Sequence, residues 1–228
     1  MASLRFARRV LPLLFLASPV AAQQVAGMRS ATRADLQAAI LVYENSSRSS
    51  AYSDRMRSRA QREAAAARTR LAVGDFKVGD RIYLRVVGPT QLVDDTLTVS
   101  DSLSIVVPGI RSVPLRGVLR SELQPVISRE LGVVVKEVQV TARPLIRVAV
   151  LGMVGIPGYR TVSAETLVDQ LITVSGGPVA TAGINEMKFM RADTTFLAGE
   201  AVSRAIAQGM TLDALDIRDG DVLVVPME

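Results

Sequence analysis

One stretch of this chain leaves little freedom in how it folds: from Leu145 to Gly177 it reads LIRVAVLGMVGIPGYRTVSAETLVDQLITVSGG. Ile146, Val148 and Val150 alternate with Arg147 and Ala149, the period-two pattern of a strand with one buried face. Pro157-Gly158 then turns the chain, because proline fixes φ and glycine accepts positive φ at little cost, and a second short strand follows. Leu167, Leu171 and Val174 recur at spacings that put them on one helical face, and Gly176-Gly177 supplies the stop. The expected unit is strand, turn, strand, helix.

The flanking sequence has the same mixed character. Ile82, Leu84 and Val86 predict a strand over 81–87, and Leu97–Val99, Leu103–Val107 and Val113–Leu115 predict three shorter ones. Turns at Ser100-Asp101-Ser102 and at Pro108-Gly109 separate them. Glu122–Leu131 reads as a helix through Leu123, Ile127 and Leu131, capped by Ser121 and ended by Gly132, with Pro125 tolerable only in its first turn. Val133–Ala142 alternates again and predicts a long strand leading into a second domain, with the boundary at Arg143-Pro144. Beyond it, Met187, Phe189 and Arg191 suggest a strand, Glu200–Gln208 a helix and Val222–Val225 a last strand. Strands and helices interspersed in this order point to the α+β class.

The amino terminus has the form of a secretory leader over 1–22. Arg5, Arg8 and Arg9 precede the apolar run Val10–Ala17, and small residues before Gln23 put the cut between Ala22 and Gln23. That run is too short to cross a bilayer, which needs about 20 residues. Residues 23–72 then form a basic helical arm. Thr32 and Asp35 are spaced as a capping box ahead of Leu36, Ile40 and Tyr43, which predicts a helix to about Tyr43. Asn45–Ser50 reads as a polar connection, and Asp54–Leu71 as a second helix with Met56, Ala60, Ala64, Ala67 and Leu71 on one face. Arg55, Arg59, Arg62, Arg68 and Arg70 are placed on the other.

The formal charge of +5 is uneven: three arginines sit in the leader, residues 23–72 hold nine basic against four acidic residues, and the rest holds fifteen against eighteen. Loss of the leader leaves +2, with the positive charge on the arm. Clustered arginines suit nucleic acid, an anionic headgroup or an acidic partner. The plainer expectation is a solvated helix whose small-residue face packs on its neighbour or on another subunit. The arm carries no nucleic-acid-binding motif, so no nucleic-acid partner is expected.

Histidine, cysteine and tryptophan are absent. That closes Ser-His-Asp and Cys-His catalysis, HExxH zinc sites, disulfides and attachment of lipid to an N-terminal cysteine. Paired carboxylates remain, in Asp94-Asp95 and in Asp213, Asp216, Asp219 and Asp221. Neighbours on a strand point to opposite faces, and the second cluster lacks the oxygen spacing of a calcium loop, so turn and cap roles are expected for these. Gly152-x-x-Gly155-x-x-Gly158 opens no helix and contains Pro157, so a strand-to-turn role is expected rather than phosphate binding. No cofactor or metal is implied, and few aromatic faces are available to stack on sugar rings.

Several of these motifs, taken in order, carry a resemblance. Val150-x-Gly152-x-Val154-x-x-Pro157-Gly158, the helix stop Gly176-Gly177 and Gly220-Asp221-Val222-x-Val224-x-Pro226 resemble the soluble-ligand-binding β-grasp domain of polysaccharide export proteins. Phe76-x-Val78-Gly79-Asp80-Arg81-Ile82, then Pro108-Gly109-Ile110-x-x-Val113-x-Leu115-x-Gly117 and Glu122-Leu123, resemble the polysaccharide export domain of the same family. The resemblance implies an export domain at 73–143 and one β-grasp domain at 144–228. It implies a non-enzymatic protein of the periplasm, associated with the outer membrane, that forms a homo-oligomeric ring around a path for secreted polymer. Family members carry a lipid anchor and a C-terminal amphipathic helix through the outer membrane, whereas this chain has no cysteine and finishes at Val224-Val225-Pro226-Met227-Glu228. The expectation is therefore a periplasmic collar, served by a separate outer-membrane β-barrel and an inner-membrane copolymerase. Two other classes remain open: a monomeric periplasmic ligand-binding module, and a carbohydrate-active enzyme using paired carboxylates.

Overall fold

A computed structural model describes residues 29–89 and 92–228. The leader at 1–22 and the cut at Ala22-Gln23 lie outside the described residues. Thr32 caps helix α1 (Arg33–Arg48): its hydroxyl accepts the Asp35 N–H while the Asp35 carboxylate accepts the Thr32 N–H. The helix continues past Tyr43 through the polar run expected to be a connection. There the Ser46 and Ser47 hydroxyls donate to the carbonyls of Val42 and Glu44, and Arg48 pairs with Glu44 one turn back. Helix α2 (Asp54–Val73) starts at Ser53, whose hydroxyl accepts the Met56 N–H. Ala60 and Ala64 pack on Ala39 and Tyr43 of α1, the expected small-residue face. Met56 leaves that face and is half exposed, and Arg68 and Arg70 turn aside to pair with Glu44 and Asp75.

Strand β1 (Arg81–Val87) pairs antiparallel with β2 (Leu92–Thr98) on one side and with β5 (Gln139–Gly152) on the other. Strands β3 (Ser104–Val107) and β4 (Arg111–Pro114) form a separate hairpin through Pro108-Gly109. Helix α3 (Leu123–Gly132) covers the core made by Ile82, Leu84, Ile105, Val113 and its own Ile127 and Leu131. Ser121 is not its cap: a 3-10 turn, Arg120–Glu122, precedes α3, and the Ser121 hydroxyl donates to the Ala31 carbonyl. Pro125 falls in the first turn, where no helical N–H is lost.

Residues 133–138 are turns rather than the start of a strand. The N–H groups of Val134 and Val135 fold back onto the Leu131 carbonyl, and Val133 and Val134 face solvent. Strand β5 begins at Gln139 and runs straight through the expected boundary at Arg143-Pro144. Ile82 lies opposite Pro144, and Leu145 lies opposite Arg81 on one side and Ser163 on the other. One strand therefore belongs to both units.

The second unit is built on the far half of β5. Its sheet order is β6 (Gly158–Ser163), β5, β9 (Val222–Val225), β7 (Lys188–Arg191), β8 (Thr194–Ala198). Only β5 and β9 are parallel, and the excursion joining them carries α4 (Val168–Thr173) and α5 (Glu200–Ala207). Ile146, Val148, Val150, Phe189 and Leu223 fill the core beneath these helices. α4 buries Val168, Leu171 and Ile172, so its inner face is turned by one residue from the expected Leu167, Leu171 and Val174. Val174 is half exposed. The molecule is thus a mixed α+β protein, and no helix among the described residues is long and apolar enough to cross a membrane.

Candidate functional site

The motif glycines and prolines separate into five places. Gly79-Asp80 closes the entry to β1: the Gly79 N–H donates to the Val99 carbonyl and the Asp80 carboxylate accepts the Lys77 N–H. Pro108-Gly109 turns the β3–β4 hairpin. Gly117 is where the arm docks, its N–H donating to Val73 and its carbonyl accepting from Arg33 at 2.8 Å. Gly220 leads into β9 with Asp221, which is buried and accepts from the Arg191 guanidinium and the Arg218 N–H.

The remaining motif residues, Gly152, Pro157, Gly158, Gly176, Gly177 and Pro226, converge at the end of the second unit where β5 and β9 stop. Gly152 has φ +93°, and a Cβ there would lie 2.0 Å from the Val225 carbonyl oxygen. Two loops cross beside it: Gly155 N–H donates to Gly177 and Ile156 N–H to Ser175. The backbones touch, so that a Cβ on Gly155 would meet the Gly176 oxygen at 2.7 Å. The glycines fix a rigid platform, and apolar side chains stand on it. Ile156 and Tyr159 are 59% and 58% exposed, and the Arg160 guanidinium binds the carbonyls of Ile156 and Val174, holding those two exposed residues together.

A second locus lies on the seam between the arm and the two units. Arg120 and Asp213 meet at 2.8 Å with both side chains more than nine-tenths buried. Arg29 reaches Asp216 at 3.3 Å, Arg70 reaches Asp75 at 2.6 Å, and Asp75 also accepts the Arg120 N–H at 3.0 Å. Arg33 forks onto both oxygens of Glu122 at 2.8 and 2.9 Å. Burial pushes the Asp213 carboxyl above its usual range, against the opposing pull of Arg120. Burial also acts to raise Asp216, but the Arg218 hydrogen bond and the charges of Arg218, Arg29 and Arg191 outweigh it and leave it lowered. The Arg33 hydrogen bond holds Glu122 low.

Beside this seam is a cleft of about 300 Å³ whose lining includes Ser30, Arg120, Gln124, Glu165, Thr211 and Asp213. It offers hydroxyl, amide and carboxylate groups to a small polar solute, with its most buried carboxylate already engaged by a guanidinium. The acidic cluster divides in a way not expected. Asp221 accepts the Arg218 N–H three residues back, as a turn aspartate does, but also pairs with Arg191; Asp219 accepts the Arg147 N–H of β5, 72 positions away, and Asp213 and Asp216 are ion-pair partners reaching across the molecule. Asp94 and Asp95 are successive residues of β2 and therefore point to opposite faces. Among the described residues no group of three or more acidic side chains is placed to hold a metal ion.

The seam was invisible in the sequence, since Arg120 and Asp213 are 93 positions apart and Arg29 and Asp216 are 187 apart. The one local trace is that each of the buried pair directly follows a fully buried leucine, Leu119 and Leu212. Set against known proteins, the chain matches no protein-family model and no curated protein.

Proposed function

We propose that this chain is a secreted polysaccharide export protein that closes into a homo-oligomeric collar around exported polymer. The observation that carries the reading is the strand arrangement. A hairpin (β5, β6), a helix, and a final strand β9 lying parallel to β5 at the sheet centre give the organisation expected of a β-grasp. The same β5 also completes the sheet of the preceding unit, so the two motifs that resemble the export family are presented as one body. In this reading residues 73–143 are the export domain and 144–228 the β-grasp domain. The collar sits in the periplasm against the outer membrane, between an inner-membrane copolymerase and a separate β-barrel. Its subunit contact is the platform at Ile156, Tyr159 and Val174, a small apolar surface on a rigid base, suited to a head-to-tail contact that closes a ring.

The test is the mass of the leaderless protein in solution, read by light scattering and by electron microscopy. Rings of uniform subunit number that fall to protomers in Ile156→Asp support the reading. A protomer that stays single at high concentration overturns it. The cleft at Arg120 and Asp213 favours the second reading, a monomeric ligand-binding module, and saturable binding of a soluble glycan by that single protomer establishes it instead.

A further inference from the structure

The arm holds nine arginines between Arg29 and Arg70, and the structure sorts them into two sets. Arg29, Arg33, Arg48, Arg57, Arg68 and Arg70 each have a carboxylate partner. Arg55, Arg59 and Arg62 have none: all three are exposed and make no ion pair or side-chain hydrogen bond among the described residues. They are also the three that line up. At 100° per residue, positions 55, 59 and 62 fall within a sector of about 60° and span about 10 Å of helix axis. That sector faces away from the buried Ala60, Ala64 and Ala67. Of the two acids on the helix, Asp54 is paired with Arg57, and Glu63 stands at the edge of the sector nearer α1, where its charge and that of Arg59 act in opposite senses on the Tyr43 hydroxyl.

Three exposed guanidinia without a hydrogen-bonded carboxylate, set along one sector of a helix, match a linear chain bearing repeated anionic groups, because each planar fork takes a carboxylate, sulfate or phosphate in two hydrogen bonds. The surroundings separate the possible polyanions. A membrane-lying helix needs a broad apolar face to bury beside its basic one, and the apolar face of α2 is small alanines already packed on α1. Single-stranded nucleic acid needs aromatic platforms for its bases, and α2 has no aromatic residue. We infer that the outer face of α2 at Arg55, Arg59 and Arg62 binds an acidic polysaccharide, the class of polymer that the collar conducts. This inference rests on the export reading for the role of the polymer, but not for the binding itself.

The experiment uses the leaderless protein and oligogalacturonate as a carboxylate-bearing probe. The comparison ligands are neutral dextran, duplex DNA and phosphatidylglycerol vesicles. Exposed ion pairs of this kind are each worth a few tenths of a kcal/mol, so Arg55→Gln/Arg59→Gln/Arg62→Gln is expected to weaken oligogalacturonate binding about tenfold. Glutamine keeps the helix, and an unchanged thermal midpoint checks that. Arg111→Gln/Arg143→Gln/Arg204→Gln removes equal charge elsewhere and is expected to bind within about twofold of the parent, no more than one exposed ion pair is worth. Binding unchanged in the first variant, or reduced equally in both, overturns the inference. So does preference for DNA or vesicles over oligogalacturonate. Particle mass measured on the same samples keeps the two readings apart: a protomer that binds the uronate through these arginines defeats the collar alone, and a ring indifferent to them defeats this inference alone.

Discussion

At Gly152 and Gly79 the same backbone condition meets different surroundings. Both have positive φ, but a Cβ on Gly152 runs into the Val225 carbonyl, whereas a Cβ on Gly79 meets nothing within 4 Å. Gly79→Ala is therefore expected to cost only the conformational strain, about 1–2 kcal/mol. Gly152→Ala must also displace β9 and is expected to exceed about 3 kcal/mol, read as the difference in urea midpoints at constant slope. Equal losses would show that the β5–β9 contact is soft. The buried pair at the seam obeys another rule. Asp213→Leu alone strands the Arg120 guanidinium, whose Nε already has no hydrogen-bond partner, and is expected to cost about 3–5 kcal/mol. Arg120→Met on top of Asp213→Leu is expected to recover most of that loss, because two apolar residues leave no charge uncompensated. Failure to recover would mean that the backbone bonds of Arg120, not its charge, hold the seam.

Among the elements, the arm is attached both by an apolar contact, Ala31, Leu36 and Leu71 against Leu119, and by ion pairs. Glu122 is held below its ordinary 4.5 by Arg33, so its stabilising contribution is fully present above that value and disappears as pH falls through the lower value of the folded protein. Amide exchange in α1 and α2 is therefore expected to accelerate relative to β5 as pH is lowered from about 5 to 3. Glu122→Gln is expected to weaken that dependence without abolishing it, because Asp216, also held low and paired with Arg29 of the arm, loses its charge as pH falls, while exchange in β5 stays unchanged. If the parent arm exchanges identically at both pH values relative to β5, Arg33–Glu122 is not what anchors it. The same element shows why the sequence was only partly legible. The Thr32–Asp35 box, the alternation of β1 and β5 and the stop at Gly176-Gly177 are local signals, readable from neighbours along the chain. The end of α1 was not, because serine hydroxyls that usually break a helix here bond backward into it. Strand β8 was missed because Thr194-Thr195-Phe196 alternates weakly and owes its conformation to β7. The cleft and the seam escaped altogether, being made by residues that only the fold brings together.

Across the whole molecule, β5 decides how the protein comes apart. A sequence boundary at Arg143-Pro144 implies two units joined by a linker and free to unfold in turn. The strand instead enters the first sheet beside β1 and leaves through the second between β6 and β9, while Arg120–Asp213 and Arg29–Asp216 clamp the same junction from the arm side. Fraying either sheet removes hydrogen-bond partners from a strand the other sheet still needs. One cooperative transition is therefore expected, with calorimetric and van't Hoff enthalpies equal and with slow-exchanging amides of β1 and β7 sharing one opening free energy. Asp213→Leu is expected to lower that single transition without splitting it, since the shared strand remains. Two resolved transitions in the parent protein would show that Pro144 interrupts the coupling after all, and the rigid protomer on which a closed collar depends would no longer be available.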